Sequence, residues 1–290
     1  MAQGRLDRVV IGLPVYNGEK YISQALDSLL AQDYGDFELF VRDNASTDKT
    51  EQICRMYARR DSRVVYYRNQ ENIGAVANFL AVLEQADSPY FMWAAFDDLW
   101  TPDYLSRSVG VLRQNPESGF VLNNVVLKSI RYHLWRRVPA SRFAFVTHPN
   151  PDERFLAFVN QHVYSHKTNL LYALMRTQVL KAAVAKVGFM DGELLGAALL
   201  LDAPGASAPP GARFYKRYET KWPAMFIRKR ISNEKRKAFE QHRDKRFERL
   251  KELAPHLELQ LEFIRENYHP RTFRRNFLIV DDARLNVSEG

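Results

Sequence analysis

The segment "RVVIGLPVYNGEKYISQALDSLLAQ" (residues 8–32) joins two apolar periodicities across a polar break. Its first six residues form a short β-branched run, with the length and composition of a buried strand. Beyond residue 19 the apolar positions change to helical spacing, so that Tyr21, Ile22, Ala25, Leu26, Leu29 and Leu30 share one face. Between the two stands "PVYNGE", built from turn-forming residues. Strand, polar loop and amphipathic helix together make the repeating unit of an α/β sheet.

The unit recurs downstream. "FELFVR" (37–42) is a second strand and is followed by "DNASTD". There Asp48 and Glu51, three residues apart, have the spacing of a capping pair, opening a helix with Ile53, Met56 and Tyr57 on one face. "RVVYYR" (63–68) is a third strand, "RNQENIG" its loop, and residues 75–84 the next helix. Residues 90–95 make a fourth strand that ends in "FDDLWTP". Such alternation implies parallel strands joined by right-handed crossovers, with both sheet faces covered.

Ligands bind an open parallel sheet at the carboxyl ends of its strands. All four loops at those ends are polar, and they bring Asp43, Asp97 and Asp98 to one crevice. Two adjacent carboxylates repel each other and are costly near apolar surroundings unless paired, solvated or on a metal. A surface turn is the plain alternative, since Pro102 follows, but a turn does not require four such loops. Hard oxygen donors of this kind suit Mg2+ or Mn2+, which usually bridge carboxylates to substrate phosphates. Neither a G-x-G-x-x-G fingerprint nor a Walker A sequence follows the first strand, which argues against dinucleotide and P-loop chemistry.

Past residue 102 the pattern loosens. A helix is expected at 104–114, a strand at 119–130 and irregular chain at 131–150. A short helix (153–160), a strand-like stretch (169–175) and another helix (178–185) follow, then a Pro/Gly/Ser loop at 203–212. Of the 290 residues 46% are hydrophobic, enough for a sizeable core, and no apolar run approaches the ~20 residues that cross a bilayer. The first eight residues do not read as a signal peptide. The single cysteine, Cys54, excludes an internal disulfide framework and a cysteine-based zinc site. These features fit a cytoplasmic protein. Net charge is +8, and residues 221–250 hold eleven Lys or Arg against four Asp or Glu. A solvated helix packed on the domain accounts for that stretch. An anionic membrane surface is the next reading. Nucleic acid is not expected, because no reader motif accompanies the charge.

"VVIGLPVYNGEKYISQALDSLLAQ", "ELFVRDNASTDKT", "RNQENIGAVAN" and "FDDLWTPDYL" resemble, in order and spacing, the family 2 inverting glycosyltransferases of GT-A fold. The likeness covers about residues 8–110 and continues weakly to about 218. It implies a GT-A-type, mostly parallel sheet flanked by helices. Residues 1–105 would be the nucleotide-sugar-binding half, 106–220 the acceptor-binding half, and 221–290 a basic, mainly helical extension. The implied reaction moves a sugar from a nucleotide diphosphate, most naturally UDP, to an acceptor hydroxyl with inversion and a divalent metal. Saccharide or lipid-linked acceptors of bacterial polysaccharide or glycolipid assembly are the implied partners, with peripheral contact at the inner membrane face through 221–250.

Carried over by position, Pro14, Tyr16 and Asn17 line the base pocket, Asp43 accepts from the base, and Asn72 contacts base or phosphate. Asp97 belongs at the ribose and metal shell, and Asp98 is the metal ligand, expected exposed at its strand end. Asn17 and Asn44 are also plain turn formers, and Asn78 reads better as structural. The general base is expected at Asp191, with Glu193 second, in "GFMDGELLGAALLL"; a helix cap is the plain reading of Asp191. His162 and His166 read as surface residues. The cations of "RFYKRYE" (213–219) either meet the diphosphate or belong to a solvated loop. Two other readings compete: a nucleotide-sugar-binding relative without catalysis, and a basic adaptor for membrane or nucleic acid.

Overall fold

The computed structural model of the chain describes residues 7–129, 135–138, 140–161, 167–188, 192–208, 211–218 and 233–267. The first half follows the alternation of the sequence: β1 (Val9–Val15), α1 (Ile22–Leu30), β2 (Phe37–Asp43), α2 (Thr50–Arg60), β3 (Val64–Arg68), α3 (Ala75–Glu84) and β4 (Tyr90–Trp93). β1 is buried at every position, as a central strand covered on both faces must be. α1 turns Ile22, Ala25, Leu26 and Leu29 inward. β3 alternates the buried or half-buried Val64, Tyr66 and Arg68 with the exposed Val65 and Tyr67, the signature of a strand packed on one face. At Gly12 an added Cβ would stand 2.7 Å from the Phe91 ring, so β1 and β4 need hydrogen there.

The second half runs β5 (Leu99–Trp100), α4 (Tyr104–Gln114), β6 (Phe120–Leu122), β7 (Asn124–Ser129), β8 (Trp135–Val138), α5 (Pro151–Asn160), β9 (Leu174–Arg176), α6 (Thr177–Val187), α7 (Gly192–Asp202), β10 (Gly205–Ser207) and β11 (Arg213–Tyr218). α8 (Asn233–Leu253) and α9 (Glu258–Asn267) follow, and 3-10 turns occupy Ala140–Thr147, Lys167–Tyr172 and Pro255–Leu257. Seven strands form one sheet in the order β10-β6-β9-β4-β1-β2-β3, mostly parallel, with β9 antiparallel to both its neighbours. A second sheet has the order β5-β11-β7-β8. The mostly parallel sheet flanked by helices is the expected GT-A arrangement.

Several local expectations change: β8 and a 3-10 turn stand in the stretch 131–150 read as irregular, the strand read at 169–175 is a 3-10 turn followed by β9, and β10 lies in the loop read at 203–212. The strand expected over 119–130 is two strands, divided at Asn123, whose amide donates to Ser108 Oγ (3.0 Å). β6 stays in the main sheet while β7 joins the second one. The cations of 213–218 lie on no solvated loop: they form β11, antiparallel to β5 and parallel to β7. The Asp48–Glu51 capping box does not form. Asp48 takes the Thr50 N–H, while Glu51 pairs with Arg55 and Arg68.

α7 is buried from Glu193 to Leu200, as its nearly continuous apolar sequence requires. A Cβ at Gly196 would meet the Phe158 ring at 2.5 Å, so this glycine lets α5 and α7 approach closely. α8 packs on α7, and its Phe247 and Leu250 are buried.

Candidate active site

The parallel register aligns Val15 with Asp43 and Asp43 with Arg68, so the first three strand ends are level. Side chains lace their loops together. The Asn17 N–H donates to Ser46 Oγ (2.9 Å), and Asn17 Oδ1 accepts from the Thr47 N–H (2.8 Å). Gly18 N–H donates to Thr50 Oγ1 (2.8 Å) and Glu19 N–H to Asp48 Oδ2 (3.0 Å). Asn17 (φ 50°) and Ala45 (φ 59°) are held in left-handed conformations, one in each laced loop. Asn tolerates that region, but for Ala it is strained.

Asp43 is fully buried. Its Oδ1 accepts from the Ser46 N–H (2.8 Å), and its Oδ2 accepts from Tyr66 Oη (2.8 Å) and Arg68 Nη1 (3.0 Å). Burial, then the bond to Asp43, raises the Tyr66 phenol well above its ordinary range. Asn69, which sequence reasoning passed over, donates to both Asn44 Oδ1 (2.8 Å) and Asn78 Oδ1 (3.0 Å). Asn44 Nδ2 donates in turn to Asn72 Oδ1 (2.7 Å), and Asn78 Nδ2 to the Arg42 carbonyl (3.1 Å). These four amides tie the loops after β2 and β3 to α3, the structural role read for Asn78. Pro14 is buried within β1, whereas Tyr16 is 43% exposed at the loop, as is Ile73 at 40%.

The acid pair lies between β4 and β5. Asp98 is 1% exposed, not the open ligand that its strand-end position suggested. β11 is what covers it. The Arg217 N–H donates to Asp98 Oδ1 (2.8 Å), Arg217 Nε donates to the Asp97 carbonyl, and Arg217 Nη1 donates to Gln24 Oε1 (2.5 Å). The guanidinium stacks over Tyr21 at 4.6 Å, and its buried Nη2 has no partner among the described residues. Next to it, Lys216 Nζ donates to Asn169 Oδ1 (3.3 Å) and stands 4.7 Å over the Tyr172 ring. Burial lowers the Lys216 ammonium, opposed by Asp98 and Asp97.

Burial and then the Asp97 carboxylate push the Asp98 carboxyl up to about 7, despite the opposing Arg217 N–H and the charges of Lys216 and Arg217. The site thus sets a desolvated carboxyl beside a second carboxylate. Its donors are hard oxygens, and that combination fits Mg2+ or Mn2+. Among the described residues no group of three or more His, Cys, Asp or Glu could hold a metal. Asp97 and Asp98 would thus leave most coordination positions to phosphate and water.

Of the two candidate bases, Asp191 lies outside the described residues, as do His162, His166 and residues 221–232. Glu193 opens α7 and pairs with Arg246 Nη1 of α8 at 3.0 Å, the side chains being 12% and 16% exposed.

The family model for glycosyl transferase family 2 matches residues 10–178, more than half of the chain and all four loops that follow β1 to β4. The chain belongs to glycosyl transferase family 2. This family 2 chain is 34% identical over 106 residues to an uncharacterized glycosyltransferase of Rickettsia typhi, a match covering 37% of the chain and 32% of that relative. It is 33% identical over 99 residues to glycosyltransferase GlyA of Streptococcus pneumoniae, covering 34% and 14%. The match thus spans a third or less of the length of these relatives. By structure it is similar to S. aureus TarS 1–349 in complex with UDP-GlcNAc, with TM-score 0.63, 19% identity, and 92% and 73% of the two chains covered. It also resembles the mannosyltransferase PcManGT from Pyrobaculum calidifontis in complex with GDP-Man and Mn2+, with TM-score 0.54, 17% identity and 95% and 76% coverage. At these identities the structural likeness speaks for the GT-A fold. Among the described residues no helix is long and apolar enough to cross a membrane.

Proposed function

We propose that this protein is a metal-dependent inverting glycosyltransferase that moves a sugar from a nucleoside diphosphate, with UDP the preferred carrier, to an acceptor hydroxyl. The observation that carries the reading is the acid pair at the end of β4, with Asp98 buried against the Arg217 N–H of β11 and Asp97 half-buried beside it. A carboxylate offers about four lone-pair sites, and Asp43 uses three on protein donors. One remains for a base N–H such as N3–H of uracil, which would reach this fully buried carboxylate once Tyr66 or Arg68 moves aside. Tyr16 is free to stack on the base beside Pro14 and Asn17, with Asn72 at the facing loop and Asp97 at the ribose. A divalent cation held by Asp98 would neutralise charge on the diphosphate. Lys216 and Arg217 add fixed positive charge on the same side, where the leaving group gains negative charge.

Inversion needs a base on the opposite face of the sugar. Asp191 takes the acceptor proton as the hydroxyl oxygen bonds to the anomeric carbon and the diphosphate departs. Glu193 is the weaker candidate because Arg246 already holds it. Saccharide or lipid-linked acceptors of bacterial polysaccharide or glycolipid assembly fit this chemistry. A cytoplasmic location fits this chemistry, and peripheral contact of residues 221–250 with the inner membrane face is the second reading of that basic stretch, after a solvated helix packed on the domain.

The test is nucleotide release from a panel of UDP-, GDP- and dTDP-sugars with Mn2+, Mg2+ or chelator, with the product anomer read by NMR. Metal-dependent release from a UDP-sugar with inverted product supports the reading. Retention of configuration, or equal rates in chelator, would overturn it. Tight nucleotide-sugar binding without turnover would favour the non-catalytic relative.

A further inference from the structure

Beside Lys216 lies a cavity of about 20 Å3, walled by Phe143, Phe145, Tyr172 and Phe214 and bordered by two amides, Asn123 and Asn169. Both amides are only 6% exposed. Each is half satisfied. Asn123 Nδ2 donates to Ser108 Oγ (3.0 Å), and Asn169 Oδ1 accepts from Lys216 Nζ (3.3 Å). The other halves, Asn123 Oδ1 and Asn169 Nδ2, are buried without a partner among the described residues.

Chemistry fixes which way each amide points. Rotating Asn123 would present its carbonyl to Ser108, whose hydroxyl already donates to the Tyr104 carbonyl (2.6 Å). Rotating Asn169 would press its NH2 against the Lys216 ammonium. One acceptor and one donor therefore belong to residues that line the same cavity.

Buried polar groups are rarely left unpaired, because the desolvated group keeps its full penalty. An apolar occupant would satisfy neither amide. A cation would face the Asn169 donor and Lys216, and an anion would face the Asn123 carbonyl. Water both accepts and donates and is small enough for this cavity, since a site needs about 10–15 Å3 and two polar partners to hold one molecule.

We propose that the cavity holds one internal water, accepting from Asn169 Nδ2 and donating to Asn123 Oδ1, and that this water fixes the amide that orients Lys216 towards Asp97 and Asp98. The water site stands on its own geometry. Its consequence for Lys216 rests on the transferase reading above.

The wild-type chain tests the site directly, by a crystal structure that resolves ordered solvent and by oxygen-17 relaxation dispersion. A solvent peak between the two amides is expected, with one long-lived water lost in Asn123→Leu. No density between them in wild type, or the same count of long-lived waters in both proteins, overturns the site. Neither readout needs turnover, so it holds even if the donor assignment fails.

Asn123 touches neither Lys216 nor the acid pair, and kinetics test the link between them. Asn123→Leu should lower kcat about tenfold with the donor KM little changed, within the ~10²-fold that misplacement far from the chemistry can cost. Asn123→Ser, which keeps an acceptor oxygen and leaves room for water, should recover most of that loss. An unchanged kcat in Asn123→Leu, or an equal loss in Asn123→Ser, refutes the positioning role.

Discussion

At Asp98, burial and the carboxylate of Asp97 act in the same direction, and both disfavour the ionised side chain. Asp98→Asn removes the charge and keeps an oxygen for the Arg217 N–H, so the substitution should leave Tm equal to or above wild type. Metal-dependent turnover should vanish, because a neutral amide is a poor ligand for a hard cation. Retained turnover, or a Tm drop of several degrees, would contradict that account. Asp43 behaves oppositely. It satisfies Tyr66, Arg68 and the Ser46 N–H, so Asp43→Ala should cost about 1.5–3 kcal/mol of stability, the usual worth of bonds to a charged group. Urea denaturation reads the loss, and calorimetry with UDP should show weaker binding as well. A variant as stable as wild type would mean that these bonds are not maintained in solution. The composition of the loops marked both acids as site residues, but burial depends on what covers them, and β11 lies far along the chain.

α7 and α8 meet through Glu193 and Arg246, and their pairing separates a structural carboxylate from a catalytic one. Glu193→Gln leaves Arg246 half-buried without its counter-charge, and the cost should be about 2–3 kcal/mol, below that of a fully buried broken pair. Its kcat should fall far less than the 10²–10⁴ that loss of a base produces, whereas Asp191→Asn should show that loss with stability kept. A dead but stable Glu193→Gln would exchange the two roles. At this scale the sequence was legible where contacts are local. Strand β1, the amphipathic face of α1 and the polar loop between them follow from periodicity within 25 residues. The break between β6 and β7 was not legible, since "VLNNVV" reads as unbroken strand and the partners that separate the two strands, β9 and β10 for β6 and β8 and β11 for β7, lie later in the chain. β11 was missed for a related reason: a short strand of cations and aromatics is indistinguishable from a loop until β5 and β7 flank it.

The molecule as a whole places its acid pair where two sheets meet, with β4 entering from the main sheet and β11 from the second. Nucleotide and metal should therefore stabilise the entire fold together and not separately. A ligand that binds only the folded state adds about 2.7 kcal/mol at a hundredfold excess over Kd. At roughly 2–4 °C per kcal/mol for a domain of this size, UDP with Mn2+ should raise Tm by about 5–10 °C. Chelator should remove most of the rise that UDP gives, because the diphosphate then meets Asp97 and Asp98 without a bridging charge. The apo Tm should be unchanged by chelator, since the protein side of the site is already held by Arg217 and Lys216. Asp98→Asn should lose the metal-dependent part of the shift and keep whatever part the base pocket supplies through Asp43. An equal UDP shift with and without chelator in wild type would place nucleotide binding away from the acid pair, and the coupling of the two sheets through this crevice would be wrong.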